Sequence, residues 1–168
     1  MLLAAADAQI SKPEEFQVKA AYLYNFGKFI SWPGSKSGTS FPICVLGRDP
    51  FGSALDTTIA GDSIDDKKLV VKRISSTHEA DDCRILFVSS SEATALKEIL
   101  LSVQKLPVAT VSDIPGFVNQ GGMIEFVLRE NRVKFKVNLA AARQSGLALS
   151  SQLLKVAVEV RDTQGKQE

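Results

Sequence analysis

Apolar positions along this chain fall into two kinds of run, one at helical spacing and one continuous. Over 13–31, Phe16, Ala20, Leu23, Tyr24, Phe26, Gly27, Phe29 and Ile30, with Val18 and Tyr22, cover well over half the circumference of a helical wheel. Only Glu14, Gln17, Asn25 and Lys28, with Ala21 among them, form a polar strip. Ser11 is placed to cap this helix, Pro13 suits its first turn, and Glu14 and Glu15 sit at the positive end of its dipole. A helix lying on a sheet buries one stripe. An arc this wide needs a second surface, either another helix or a partner chain. Trp32-Pro33-Gly34 ends it, because proline disfavours helix at the residue before it.

After a polar loop over 35–40, the continuous runs begin. Ile43-Cys44-Val45-Leu46, closed by Gly47, has the pattern of a strand buried on both faces. A short helix follows over 51–59, stopped by Gly61, and after the charged turn 62–67 comes a strand over 68–74. Ile85-Leu86-Phe87-Val88 is the most apolar strand and is expected at the centre of the sheet. Ser90 or Ser91 caps a helix running to Val103, with Leu96, Ile99, Leu100 and Val103 on one face, and 108–111 forms a fourth strand. Alternating strand and helix predicts a parallel α/β sheet with right-handed crossovers.

The last third changes character. Segments 123–128 and 132–137, joined by Arg129-Glu130-Asn131, predict an antiparallel hairpin. Val133, Phe135 and Val137 alternate there with Arg132, Lys134 and Lys136, giving one core face and one basic face. Asn138 caps a helix over 139–144, Gly146 stops it, and Ser150 or Ser151 caps a final helix to Arg161. The fold class is therefore α/β: an open, mostly parallel sheet with flanking helices, ending in an antiparallel hairpin and C-terminal helices. The expected division is a signal-peptide remnant or disordered start over 1–10, one domain over 11–162, and a polar tail over 163–168. Leu2-Leu3-Ala4-Ala5-Ala6 before the small-x-small Ala6-Asp7-Ala8 is the reason for the signal reading, which implies export.

Composition narrows the function classes. With 45% hydrophobic and 23% charged residues among 168, the chain builds one ordinary globular core. A formal net charge of +1 lacks the basic surplus of a nucleic-acid binder. No apolar stretch approaches the roughly 20 residues of a membrane span. Two cysteines, Cys44 and Cys83, permit one disulfide in an oxidising compartment, although two buried free thiols would give the same sequence.

Chemistry-bearing constellations are sparse, so no catalytic, metal or cofactor residues are assigned. The single histidine, His78, lies in a polar loop, and no cluster has metal-ligand spacing. Gly47-Arg48-Asp49-Pro50-Phe51-Gly52 matches neither the P-loop nor the dinucleotide fingerprint. Ligands of open parallel sheets sit beyond the carboxyl ends of the strands, which makes Gly47, Arg48, Ser89, Ser112 and Asp113 a candidate ligand pocket, or else plain turn and cap residues. Arg129, Arg132, Lys134 and Lys136 either meet an acidic partner or blunt an exposed strand edge.

Several blocks, in order, carry a resemblance. They are 17–26 running to Trp32-Pro33, Ile43-Cys44-Val45-Leu46-Gly47 with Phe51-Gly52, and Cys83-Arg84-Ile85-Leu86-Phe87-Val88-Ser89. Gly116-Phe117, Gly121-Gly122-Met123-Ile124-Glu125-Phe126, and Val133-Lys134-Phe135 through Asn138, Ala141-Ala142-Arg143, Gly146-Leu147, Ser150-Ser151 and Leu153-Leu154 complete the set. Over 16–160 the chain resembles the YfiR-like family of small bacterial periplasmic proteins. The resemblance implies a non-enzymatic, homodimeric regulator that restrains an inner-membrane diguanylate cyclase by binding its periplasmic sensor domain, lowering cyclic di-GMP and biofilm formation. It implies that Cys44 and Cys83 pair, and that their redox state modulates the restraint. A further cysteine pair of some relatives is missing here, which argues against a multi-disulfide switch. The rival expectation is a periplasmic small-ligand binder signalling through another receptor.

Overall fold

The first helix begins as its sequence dictates. In a computed structural model, which describes residues 9–34 and 38–162, α1 spans Lys12–Phe29, and Ser11 Oγ accepts the Glu14 N–H at 3.3 Å. The chain leaves the helix at Ile30, which is extended. β1 (Ile30–Ser31) then pairs antiparallel with β9 (Ala148–Leu149) in a small second sheet. The expected helix to residue 31 is thus shortened: the Ile30 N–H still closes the helix on the Phe26 carbonyl, but the Phe29 carbonyl accepts the Ser150 N–H at 2.9 Å and Ser31 pairs with Ala148 in a distant strand.

Among the described residues the main sheet has eight strands. β2 (Ser40–Leu46), β4 (Lys67–Ile74), β5 (Ile85–Val88), β6 (Ala109–Ser112) and β7 (Ile124–Arg129) run parallel, and β8 (Arg132–Asn138) returns antiparallel to β7. The two-residue β3 (Ser63–Ile64) and the three-residue β10 (Glu159–Arg161) are the margins, giving the order β10-β8-β7-β6-β5-β2-β4-β3. The apolar β5 lies inside the sheet with all four residues buried, as its sequence predicts.

Alternation along the strands divides the core into two layers. Ile43, Val45, Ile85, Phe87, Phe126 and Phe135 face α1, together with α2 (Ala54–Ile59), α4 (Leu139–Gln144) and α5 (Ser151–Val156). Cys44, Leu46, Leu86 and Val88 face α3 (Leu96–Val103) and the 3₁₀ segment Thr77–Asp82. The wide arc of α1 is explained by this arrangement. Phe26 meets Phe135 edge-on at 5.1 Å and stacks near Phe126 at 5.9 Å, while Phe16 on the same helix reaches Phe51 at 5.4 Å. Burying each such ring contributes about 1.5–3 kcal/mol.

Three expectations need correction. The final helix stops at Val156, not Arg161, and β10 follows, pairing parallel with β8. Val156, Val158 and Val160 recur at spacing two, a strand signal that the preceding serine cap obscured. The segment after β5 begins as a 3₁₀ helix over Ser90–Ala95 capped by Ser89, becoming α-helical only at Leu96. The basic strand β8 is not an edge, since β7 and β10 flank it. The expected start over 1–10 lies outside the described residues except for 9 and 10, as do 163–168 and residues 35–37 of the first loop.

Candidate functional site

Five residues predicted to line a ligand pocket do gather at the carboxyl edge of the sheet, but the fold itself uses most of their polar atoms. Strand order reverses between β2 and β5, the place where such sheets leave a crevice. Here the turn after β5 fills it. The Ser91 hydroxyl accepts the Arg48 N–H at 3.0 Å and lies 2.9 Å from Glu92 Oε2. Gly47 has φ +94°, and a Cβ there would stand 2.6 Å from Ser91 Oγ and 2.7 Å from Glu92 Cγ. Glycine is thus required twice, for backbone conformation and for close approach. Ser89 Oγ caps the turn by accepting the Ser91 N–H at 3.3 Å. Ser112 Oγ, fully buried, donates to the Val88 carbonyl at 2.6 Å and accepts from Ile114 N–H at 3.1 Å. The Arg48 side chain is exposed.

Asp113, the fifth, belongs to a buried ion cluster that sequence reasoning missed. Lys19 Nζ contacts Glu15 Oε2 at 2.5 Å and Asp113 Oδ2 at 2.7 Å, with the lysine and glutamate side chains 3% and 6% exposed. The ammonium also lies 4.3 Å from the centre of the Phe16 ring. Lys12 approaches Glu15 at 3.7 Å from the solvent side. One signal could have found the cluster. Glu15 and Lys19 are four apart, and Lys19 sits three after Phe16 and four before Leu23, inside the apolar arc.

The two cysteines are bonded. Cys44, in β2, and Cys83, preceding β5, have Cα atoms 5.9 Å apart and no exposed surface. The 3₁₀ segment Thr77–Asp82 and α3 pack over them. The segment's start is fixed by a capping box between Ser76 and Glu79. The bridge closes a loop of sequence separation 39, for which chain entropy gives about 4 kcal/mol.

The basic residues form a surface. Register places Arg129 opposite Arg132 and Val127 opposite Lys134, so Arg129, Arg132, Lys134 and Lys136 share the face of the sheet turned away from α1. A tight turn with Glu130 at φ 53° and Asn131 at φ 61° projects the first two into solvent. Among the described residues Arg129, Arg132 and Lys134 have no carboxylate partner, whereas Lys136 stands across from Glu125 on one side and Glu159 on the other. Two guanidinium groups directly opposed on a hairpin disfavour it by about 0.2–1 kcal/mol.

The YfiR/HmsC-like family profile matches residues 16–158. The chain belongs to that family. Membership of the YfiR/HmsC-like family points to a regulatory protein. No functionally curated protein matches the chain. Among solved structures it is similar to a conserved domain protein from Vibrio cholerae O1 biovar El Tor strain N16961, with TM-score 0.59 and 11% identity over 84% of this chain. It is also similar to a structure described as the ABC domain in complex with L-Trp from Streptococcus pneumonia, with TM-score 0.57 and 13% identity over 87% of this chain. At such identities the likeness is one of fold, and this YfiR/HmsC-like chain spans 60% of the length of each. No helix among the described residues is long and apolar enough to cross a membrane.

Proposed function

We propose that this YfiR/HmsC-like protein is a periplasmic inhibitor that binds the periplasmic sensor domain of an inner-membrane diguanylate cyclase. The observation that supports this contact surface is the cationic face of the β7–β8 hairpin, where Arg129, Arg132 and Lys134 have no carboxylate partner among the described residues. Such a face recognises an acidic surface and accelerates encounter with it. Inhibition is stoichiometric: the sensor domain is held in the state that binds this face more tightly, so less cyclic di-GMP is made and biofilm formation stays low. The buried Cys44–Cys83 bridge holds β2 against the 3₁₀ segment Thr77–Asp82, and its opening loosens that layer and weakens the restraint.

Crosslinking of the tagged, oxidised protein in its own envelope fraction, followed by mass spectrometry, tests this reading. Recovery of a membrane protein with a cytoplasmic diguanylate cyclase domain supports it. A pull-down that yields no membrane partner while the protein is folded sinks it, and metabolite-induced thermal shifts then become the measurement for a small-ligand function.

A further inference from the structure

The tip of the β7–β8 hairpin is built against its own stability. Its two turn residues, Glu130 at φ 53° and Asn131 at φ 61°, both adopt the left-handed conformation. Asn-Gly is the favoured pair for such a turn, and a glutamate there is strained. Arg129 and Arg132 stand directly opposite one another, although like charges so placed repel. Leu128 precedes them with 49% of its surface exposed, while its cross-strand partner Val133 is buried. The base beneath the tip is fixed. Tyr22 donates its hydroxyl to the Val133 carbonyl at 3.1 Å, and its ring lies 5.8 Å from Phe126 and 5.5 Å from Phe135. Local choices that oppose the fold without serving its core point to a use outside it.

We infer that this tip is inserted into its partner, with Leu128 entering an apolar pocket and Arg129 and Arg132 gripping carboxylates at the pocket's rim. The inference rests on the inhibitor reading above and deepens it, by specifying an acid-rimmed apolar pocket on the sensor domain in place of a flat acidic surface. Alternation along β7 supplies both halves of the tip. Leu128 shares a face with Phe126, and Arg129 lies on the other face with Arg132 and Lys134, none of the three cations having a carboxylate partner among the described residues. An aliphatic anchor in a pocket slows dissociation, whereas charges at its rim set the rate of encounter and the orientation. A hairpin held from behind by Tyr22 loses little conformational freedom on docking.

Ultraviolet crosslinking in the protein's own envelope fraction tests this. A benzophenone amino acid is placed at position 128 and, as a control, at the exposed position 72 of β4, toward the other end of the sheet. The expected adduct joins position 128 to a membrane protein with a cytoplasmic diguanylate cyclase domain, at a periplasmic segment of apolar and acidic residues. Position 72 should give none. A cyclase recovered by general chemical crosslinking, but not through position 128 or equally through position 72, overturns the inference and leaves the inhibitor reading standing. No cyclase by any route overturns both, and an adduct between position 128 and a second copy of this chain overturns the inference. Leu128→Ala, checked for folding in urea, should raise the rate of dissociation from the detergent-solubilised cyclase about tenfold and leave association and its salt dependence unchanged. An unchanged dissociation rate overturns the pocket. Glu130→Asn with Asn131→Gly should raise the urea midpoint of the chain alone. A midpoint no higher than that of wild type removes the strain that singles out the tip, and the inference with it.

Discussion

Lys19 and Asp113, 94 residues apart in sequence, meet at 2.7 Å at the carboxyl edge of the sheet and tie α1 to the end of β6. The lysine is almost wholly buried and also holds Glu15. Charges taken out of water are tolerated only while paired, so removing the cation should cost far more than removing all three charges. Lys19→Met is expected to lower stability by about 3–5 kcal/mol in urea unfolding, by leaving Asp113 without its cation and Glu15 with only the exposed Lys12. Combining it with Glu15→Gln and Asp113→Asn should recover most of that loss. Equal loss in the single and triple variants would show that packing, not charge, dominates the site.

Gly47 makes a second, steric prediction at the filled crevice. Gly47→Ala must hold φ near +94° and place a methyl 2.6 Å from Ser91 Oγ. The conformational part alone is about 1–3 kcal/mol. At about 2–4 °C per kcal/mol for a chain of this size, the melting temperature should fall by roughly 2–12 °C. Ser91→Gly combined with Glu92→Ala, which clears both side chains the methyl would meet, should recover the steric fraction and not the conformational one. An unchanged melting temperature for Gly47→Ala would refute the close approach.

The burial of Cys44 and Cys83 decides how a reductant reaches them. A thiolate must approach a sulfur atom, and neither cysteine has exposed surface. Reduction by a small thiol in buffer should therefore be slow, and it should accelerate with modest urea that opens the covering 3₁₀ segment. Thiol trapping over time, with and without denaturant, measures this. Cys44→Ala with Cys83→Ala is expected to lose up to about 4 kcal/mol of stability. Fast reduction in buffer alone would make the bridge an accessible switch.

Arg73 supplies a pH prediction. It contacts Asp49 Oδ2 at 2.8 Å and Asp56 Oδ2 at 2.6 Å, tying β4 to α2 and to the loop before it. Its hydrogen bond to Asp56 holds that carboxyl below its ordinary value. A depressed carboxylate contributes stability that is complete above its unfolded pKa and is lost as pH falls through its folded one. Arg73 and Asp56 are 41% and 49% exposed, so screening limits the effect of this pair to less than about 1 kcal/mol. Arg73→Gln should be slightly less stable than wild type at neutral pH, and the gap should close in acid. Urea midpoints at pH 7 and near pH 3 measure it, and a gap that persists in acid would assign the loss to packing.

Much of the architecture was legible because periodicity reports burial directly. Ile85 to Val88 reads as a central strand since every residue in it is apolar, and β8 reads as one core face and one basic face since Val133, Phe135 and Val137 alternate with cations. What escaped were features set by distant partners. Ile30 and Ser31 look helical until Ser150 takes the Phe29 carbonyl and the chain pairs with Ala148 and Leu149. β10 was hidden because Ser150 is a true helix cap and the helix it starts is only one to two turns long. The candidate ligand residues lie together at one edge of the sheet, but sequence could not tell that Ser91 and Glu92 would fill the space between them. Lys19 was obscured for a related reason: an ammonium belongs in an apolar arc only if its carboxylates are there, and one of them comes from 94 residues away.

The basic face makes the prediction closest to function. Arg129 and Arg132 are opposed on the hairpin at some cost in stability, and neither has a carboxylate partner among the described residues. Replacing both with glutamate should leave the fold intact, or stabilise it slightly if one is changed alone, because like-charge repulsion is relieved. Binding to an acidic sensor domain should behave in the opposite way. The double change is expected to slow association at least about tenfold and to remove most of its dependence on salt, since steering by a charged patch is screened over about 10 Å at 0.1 M ionic strength. Stopped-flow or surface-binding kinetics of the purified sensor domain at low and high salt separates these effects. A variant that associates as fast as wild type, with the same salt dependence, would move the contact surface elsewhere on the molecule while leaving the family assignment untouched.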